Sequence, residues 1–327
     1  MNNWVSTASL TAIAIGFSAL APAYAQELSE GDEVKILQGF QAGGGSDALA
    51  QLVQPHLTRE LGVNFVNEYM PGATGAIAWT RLAKQVQADD QTLSITNTPM
   101  LMTNYIMNEA ITYSIDEITP IANVVTDPGV IVVAADSPYQ TAQEFLDAAK
   151  AAPGTITVGN SGVGGDDYFS SIMIERAGDI QFQKVPFQGD GPSWQAALGG
   201  QIDASFNNLG ITYPQIEAGN LRVLAVFAEE RLEQIPDVPT MAELGIDVVA
   251  GSSRGYSGPA GMDPALVAQF NAAMQRVIEN PEFQQQAADR AMVIDYMAAE
   301  DYLAYLKSQE GEFREIWAEV GAEESAQ

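Results

Sequence analysis

The chemistry of this chain is concentrated in two glycine-rich loops and one arginine. The first loop, residues 39–47 (Gly-Phe-Gln-Ala-Gly-Gly-Gly-Ser-Asp), follows an apolar run at 34–37. It leads into a stretch where Leu49, Leu52, Val53 and Leu57 recur at helical spacing. A strand, a glycine turn and a helix N-terminus together make an anion site, because free N–H groups and the helix dipole converge there. Gly43, Gly44 and Gly45 let the backbone approach a ligand closely, and Asp47, behind Ser46, reads as the helix N-cap. The second loop, residues 160–167 (Asn-Ser-Gly-Val-Gly-Gly-Asp-Asp), repeats the pattern with Ser161, Gly162, Val163, Gly164, Gly165 and Asp166. Arg254 follows a predicted strand at 248–251 in a chain poor in arginine. A guanidinium can clamp a carboxylate with two parallel hydrogen bonds. The competing reading is a salt bridge to one of the many acids.

Other chemistries are excluded or weakened by composition. Without cysteine there is no disulfide, no thiolate catalysis and no Cys-ligated metal. His56 is the only histidine and sits beside Pro55 on a predicted helix, so Ser161 has no base for a triad. Its surroundings also depart from G-x-S-x-G at Val163. No EF-hand spacing is present, and no metal site is expected. The serious alternative is a dinucleotide fingerprint, Gly43-x-Gly45-x-x-Ala48 after a strand with Glu68 ending the next. It would make the protein an exported dinucleotide-dependent oxidoreductase, but no hydride-transfer partner stands out, and no cofactor is expected. Fourteen basic against 42 acidic residues give a net charge of -28. That argues against nucleic acid and anionic membranes as partners. It also disfavours long-range steering of an anion, so an anion site needs local donors.

The elements that would position these loops are short apolar strands alternating with helices, an α/β pattern with largely parallel sheets. The chain opens with an apolar stretch at 10–20 followed by Ala23-Tyr24-Ala25, an export signal with its cleavage site. The remaining 300 or so residues suit two domains. Predicted strands at 63–67, 93–96, 155–159, 184–187 and 203–207 end near Thr74-Gly75, Asn97, Ser161, Gln188-Gly189 and Asn207. Ligands of open α/β sheets bind outside the carboxyl ends of strands. Two domains presenting such loops to each other form a cleft that closes by hinge motion.

Taken together, these residues resemble the extracytoplasmic binding proteins of tripartite tricarboxylate transporters, the TctC or Bug family. The matching pieces are Phe40-Gln-Ala-Gly-Gly-Gly-Ser-Asp47, Pro71-Gly-Ala73, Val158-Gly-Asn-Ser-Gly-Val-Gly-Gly165, Val185-Pro-Phe-Gln-Gly189, Leu198-Gly-Gly-Gln-Ile-Asp203, Pro236-Asp-Val-Pro-Thr240 and Gly258-Pro-Ala-Gly261. They span the chain after the signal in one order. Two departures are Glu68, where the family often has a basic residue, and Arg254-Gly255, where many members have an aromatic.

The resemblance implies a type II periplasmic-binding fold: two doubly wound α/β domains joined by crossing strands around a ligand cleft. Residues 1–25 would be the signal peptide, 26–126 with 226–327 one domain, and 127–225 the other. It implies a monomer that captures a small organic acid, a di- or tricarboxylate, and delivers it to membrane permease subunits without catalysis. A sensor subunit presenting the same ligand would share the site. The expected ligand residues are Phe40, Gln41, Gly43, Gly44, Gly45, Ser46 and Asp47 on the first loop, and Ser161 to Asp166 on the second. Thr74, Gly75, Asn97, Gln188, Gly189 and Asn207 supply neutral walls, and Arg254 the clamp.

Overall fold

Val34 and Ile36 leave one face of the first strand, β1 (Glu33–Gln38), and Leu37 the other; all three are buried. A strand apolar on both faces requires a helix layer on each side of its sheet. The computed structural model describes Met1, residues 28–88 and residues 91–324; the expected export signal falls outside them, apart from Met1. After β1 come α1 (Gly45–Leu61), β2 (Asn64–Tyr69), α2 (Ala76–Gln85), β3 (Thr92–Thr98) and α3 (Met100–Met107). The long strand β4 (Ile118–Ala134) leads to α4 (Ala142–Ala151), β5 (Thr157–Asn160), α5 (Asp166–Gly178) and β6 (Gln183–Pro186). Next are α6 (Asp190–Leu198), β7 (Ala204–Asn208), α7 (Leu209–Glu217) and β8 (Leu221–Val226). The chain returns through β9 (Gly251–Pro259) and closes with α8 (Pro264–Ile278), α9 (Pro281–Ala288), β10 (Val293–Ala298) and α10 (Ala299–Glu324).

The strands run β2-β1-β3-β9-β4-β7-β5-β6, with β8 and β10 also paired to β4. The β1, β2 and β3 pairs are parallel, as are β5 with β6 and β7, while β4 and β9 run antiparallel to their neighbours. Strand β4 therefore belongs to both halves: up to Pro128 it pairs with β9, and from Gly129 it pairs with β7. In the first half, the α1 stripe Leu49, Leu52, Val53 and Leu57 packs with α8 on one face, and Trp79, Leu101 and Tyr302 cover the other. The second half has its own core around Phe145, Ile174 and Phe206. Phe227, Met241, Ile246 and Val248 belong to that second core. The return crossing thus lies at residues 250–251, not at 225–226 as expected: the apolar residues of this segment find their partners in the second half. Helix α10 spans both halves, with Tyr302 and Leu306 in the first core and Phe313 and Val320 against Phe169 of α5.

Where β4 and β9 cross between the halves, Arg254 meets Asp127. Its Nη1 lies 2.8 Å from Asp127 Oδ2, and neither side chain is more than 1% exposed. Its Nη2 donates to Asn208 Oδ1 at 2.6 Å, and Asp127 Oδ1 accepts the Gly210 N–H at 2.8 Å. This corrects the expected clamp. Residues 252–255 are not a strand-end loop but the start of β9, with Arg254 paired to Asn97 on β3 and Val125 on β4. Alternation along the strand aims its side chain inward at Asp127. Removing one member of such a pair leaves a buried, uncompensated charge. Arg254→Ala is expected to lower unfolding stability by about 3–5 kcal/mol in urea denaturation, and a loss below about 1 kcal/mol would contradict this reading.

Candidate ligand cleft

The N-cap of α1 is Gly44, with extended backbone, rather than Asp47. Asp47 sits in the first turn, where its Oδ2 accepts the Gly43 N–H at 2.8 Å and Gln51 Nε2 at 2.9 Å. Its Oδ1 accepts the Tyr69 hydroxyl at 2.7 Å. That hydrogen bond, with burial, pushes the Tyr69 phenol up to about 12. Asp47 therefore braces the loop from within. The first-turn N–H groups of Gly45 and Ser46 have no acceptor inside the helix, and both residues line the cleft. Glycine is required at 45 because a Cβ there would lie 2.5 Å from the Arg254 guanidinium. The arginine thus places positive charge beneath the loop without entering the cleft. Ser46 Oγ donates to Asn97 Oδ1 at 2.8 Å, tying the loop to the end of β3.

The second loop is built by its own polar residues. Asn160 Oδ1 accepts the Gly162 N–H at 3.0 Å, and Asp167 Oδ2 accepts the Ser161 N–H at 3.2 Å. Gly162 takes a φ of +128°, which disfavours any side chain. Gly165 caps α5. Ser161 Oγ is buried beside the Asp167 carboxyl, and the residue lines the cleft.

The two loops face each other across two adjoining cavities of about 410 and 330 Å³ that share Phe40, Gln41 and Gln188. The larger adds residues 71–75 and Ser161, Gly162 and Val163; the smaller adds residues 43–46, Asn97, Gly189, Asp190 and Trp194. The halves touch at the rim, where Thr103 Oγ1 donates to the Gly164 carbonyl and Thr74 Oγ1 to the Val163 carbonyl. No Lys, Arg or His lines either cavity, and Asp190 is the one acid that does. The arrangement offers neutral donors and helix N-termini rather than a cationic pocket.

Of the expected residues, Phe40, Gln41, Gly43, Gly44, Gly45, Ser46, Thr74, Gly75, Asn97, Ser161, Gly162, Val163, Gln188 and Gly189 line these cavities. The others lie elsewhere. Asp47 is taken up inside its loop, the Gly164 carbonyl by Thr103, and Gly165 by the cap of α5. Asn207 is buried and donates to the Asp190 carbonyl, so it supports the wall from behind. Asp166 lines a different cavity, on the other side of the hinge. Asp190 and Trp194 were not anticipated; their i,i+4 spacing on α6, after Gly189, is the signal that puts both on one face. Glu68, the acid of the dinucleotide reading, is paired with Arg81.

A family described as "Tripartite tricarboxylate transporter family receptor" (TctC) matches residues 49–321. A Cupriavidus necator protein, "UPF0065 protein in gbd 5'region", is 30% identical over 294 residues, covering 89% of this chain and 88% of its own. A solved structure described as a periplasmic transporter is 28% identical, with a TM-score of 0.83 over 87% of this chain and 96% of that one. MatC from Rhodopseudomonas palustris, solved with malate bound, shares the fold at 24% identity and a TM-score of 0.80, covering 87% of this chain and 98% of its own. The type II periplasmic-binding architecture is therefore the fold of this chain.

Asp166 also gives the protein a pH response. Burial first, then the charge of Asp190, push its carboxyl up to about 7, while Asn208 Nδ2, donating to Oδ2 at 2.7 Å, opposes this. In the unfolded chain it titrates near 4. The folded state thus holds a proton that the unfolded state has lost, so the stabilising contribution is complete below about pH 4 and is lost as pH rises through about 7. Thermal melts should show Asp166→Asn gaining on the wild type as pH rises from about 4 to 7. A melting-temperature difference that stays constant over this range would contradict the assignment.

Proposed function

The chain belongs to the TctC family of solute-binding receptors, which are not enzymes, and we propose from that premise that it captures a small organic acid carrying two or three carboxylates in the cleft between its halves. It hands the acid to the permease subunits of a tripartite transporter. It acts as a monomer in the periplasm, after its first 25 residues are removed. The observation that carries this reading is the pairing of two glycine loops, each opening a helix, across a cleft with no basic side chain. One carboxylate lies against the N–H groups of Gly45 and Ser46, where the α1 dipole and the Arg254 charge beneath favour an anion. The other takes the Ser161 hydroxyl and the backbone at Gly162, both residues lining the larger cavity. Gln41 and Gln188, shared by both cavities, bridge the middle of the ligand. Backbone donors fix such an acid without the desolvation cost of a buried cation.

Malate, adipate, citrate and NAD titrated separately into the protein test the reading, since only the organic acids should give saturable heat. A hydrogen bond to a charged group contributes about 1.5–3 kcal/mol. Ser161→Ala is therefore expected to weaken the bound acid by about ten-fold or more. Heat from NAD alone, or an unchanged affinity in the Ser161 variant, would count against it.

A further inference from the structure

A second cavity lies apart from the cleft. It encloses about 630 Å³ on the other side of the hinge and shares no lining residue with the two cleft cavities. Both halves build it: α5 and residues 227–232 come from one, β10 and α10 from the other. Its lining has one sign of charge, with Asp166, Glu229, Asp295 and Glu312 and no Lys, Arg or His. Between these acids apolar residues, including Phe169 and Phe313, make most of the wall, with Thr126, Ser170, Ser253, Tyr305 and Gln309 among them.

Three of the four acids are exposed or already engaged. Asp295 Oδ2 accepts Thr126 Oγ1 at 2.6 Å, and Glu312 Oε2 accepts Gln309 Nε2 at 3.1 Å. Glu229 is at the exposed mouth of the cavity. Asp166 differs: it is 3% exposed, Asn208 occupies its Oδ2, and its Oδ1 has no hydrogen-bond partner. A buried carboxylate oxygen left open costs free energy unless a donor or a cation reaches it. Among the described residues no group of three or more acids or histidines is close enough to hold a metal ion. What remains is a charge that brings its own apolar surface.

We infer that this rear cavity is a binding site for a small organic cation, an amine or quaternary ammonium on an apolar or aromatic body. The cation lies towards Asp166, and the body packs along the wall that Phe169 and Phe313, in contact with each other, form together. Carboxylates select the charge, and aromatic faces suit both an ammonium group and its hydrocarbon. The same acids exclude the anions that the cleft would take, so the two sites have opposite preferences.

Benzyltrimethylammonium, its uncharged carbon isostere neopentylbenzene, and benzoate are the probes, each titrated calorimetrically into the full exported chain. The cation is expected to bind saturably, with the isostere at least about ten-fold weaker and benzoate silent. Asp166→Asn and Phe313→Ala should each weaken the cation by about ten-fold or more. Glu312→Gln, at an exposed position on α10, should weaken it by a smaller factor and serves if either buried variant fails to fold. No saturable binding, equal binding of the isostere, or displacement of the cation by an organic acid competing for the cleft would overturn the inference. So would unchanged affinity in the variants that fold. The result is independent of the cleft, since heat from the cation without heat from any organic acid would overturn the proposed function and leave this one standing.

Discussion

The ion pair between Arg254 and Asp127 is the interaction on which the other features of this protein depend. It joins the two strands that cross between the halves at the point where each changes partners. Through Asn208 it reaches Asp166 at the start of α5, and through the Arg254 guanidinium it fills the space under Gly45 at the start of α1. Both glycine loops are therefore seated on one buried network. Burial raises the carboxyls of Asp127, Asp166, Asp167 and Asp190 above the usual range, and a single arginine sits among them. With more acids than cations in a dry hinge, not all of them can be ionised at once. The desolvation of both charges offsets much of the attraction within such a pair, so the pair is weak evidence for stability.

The geometry of that network is how a chain of net charge -28 would hold the anion proposed for it. The cleft has no basic wall to attract a carboxylate from a distance. Selection of the proposed acid would act only at contact, through first-turn N–H groups and neutral side chains such as Ser161. The Arg254 charge is one layer down, under Gly45, and does not line the cleft. Thr74 and Thr103 reach across to carbonyls of the opposite loop. Helix α10 packs on both cores and so links the two halves on one side.

Much of the cleft was legible in the sequence because glycine loops are local signals: their backbone work is done within a few residues of a strand end. The α1 stripe was legible for the same reason. Arg254 was misplaced because its direction depends on the register of β9 against β4, more than a hundred residues away. Asp166 was read with its loop, yet the first turn of α5 carries it to the far side of the hinge. β10 escaped notice because its residues are half-buried and lack a clean alternation, and it forms only against β4. The segment 227–250 looked like the return to the first half, but its apolar residues pack on the second. In each miss, long-range pairing overrode a local reading.

The central claim is that the arginine organises the hinge while neutral donors hold the ligand. The paired substitution Arg254→Met with Asp127→Leu tests it most directly, because it replaces the ion pair with apolar groups and leaves no buried charge unmatched between the two positions. Titration of this variant with the organic acid that gives heat with the wild type should show an affinity within about ten-fold of the wild-type value. A double variant that keeps the wild-type circular dichroism and melting temperature, yet loses about a hundred-fold or more in affinity, would mean that the guanidinium itself holds the carboxylate, and would contradict the account.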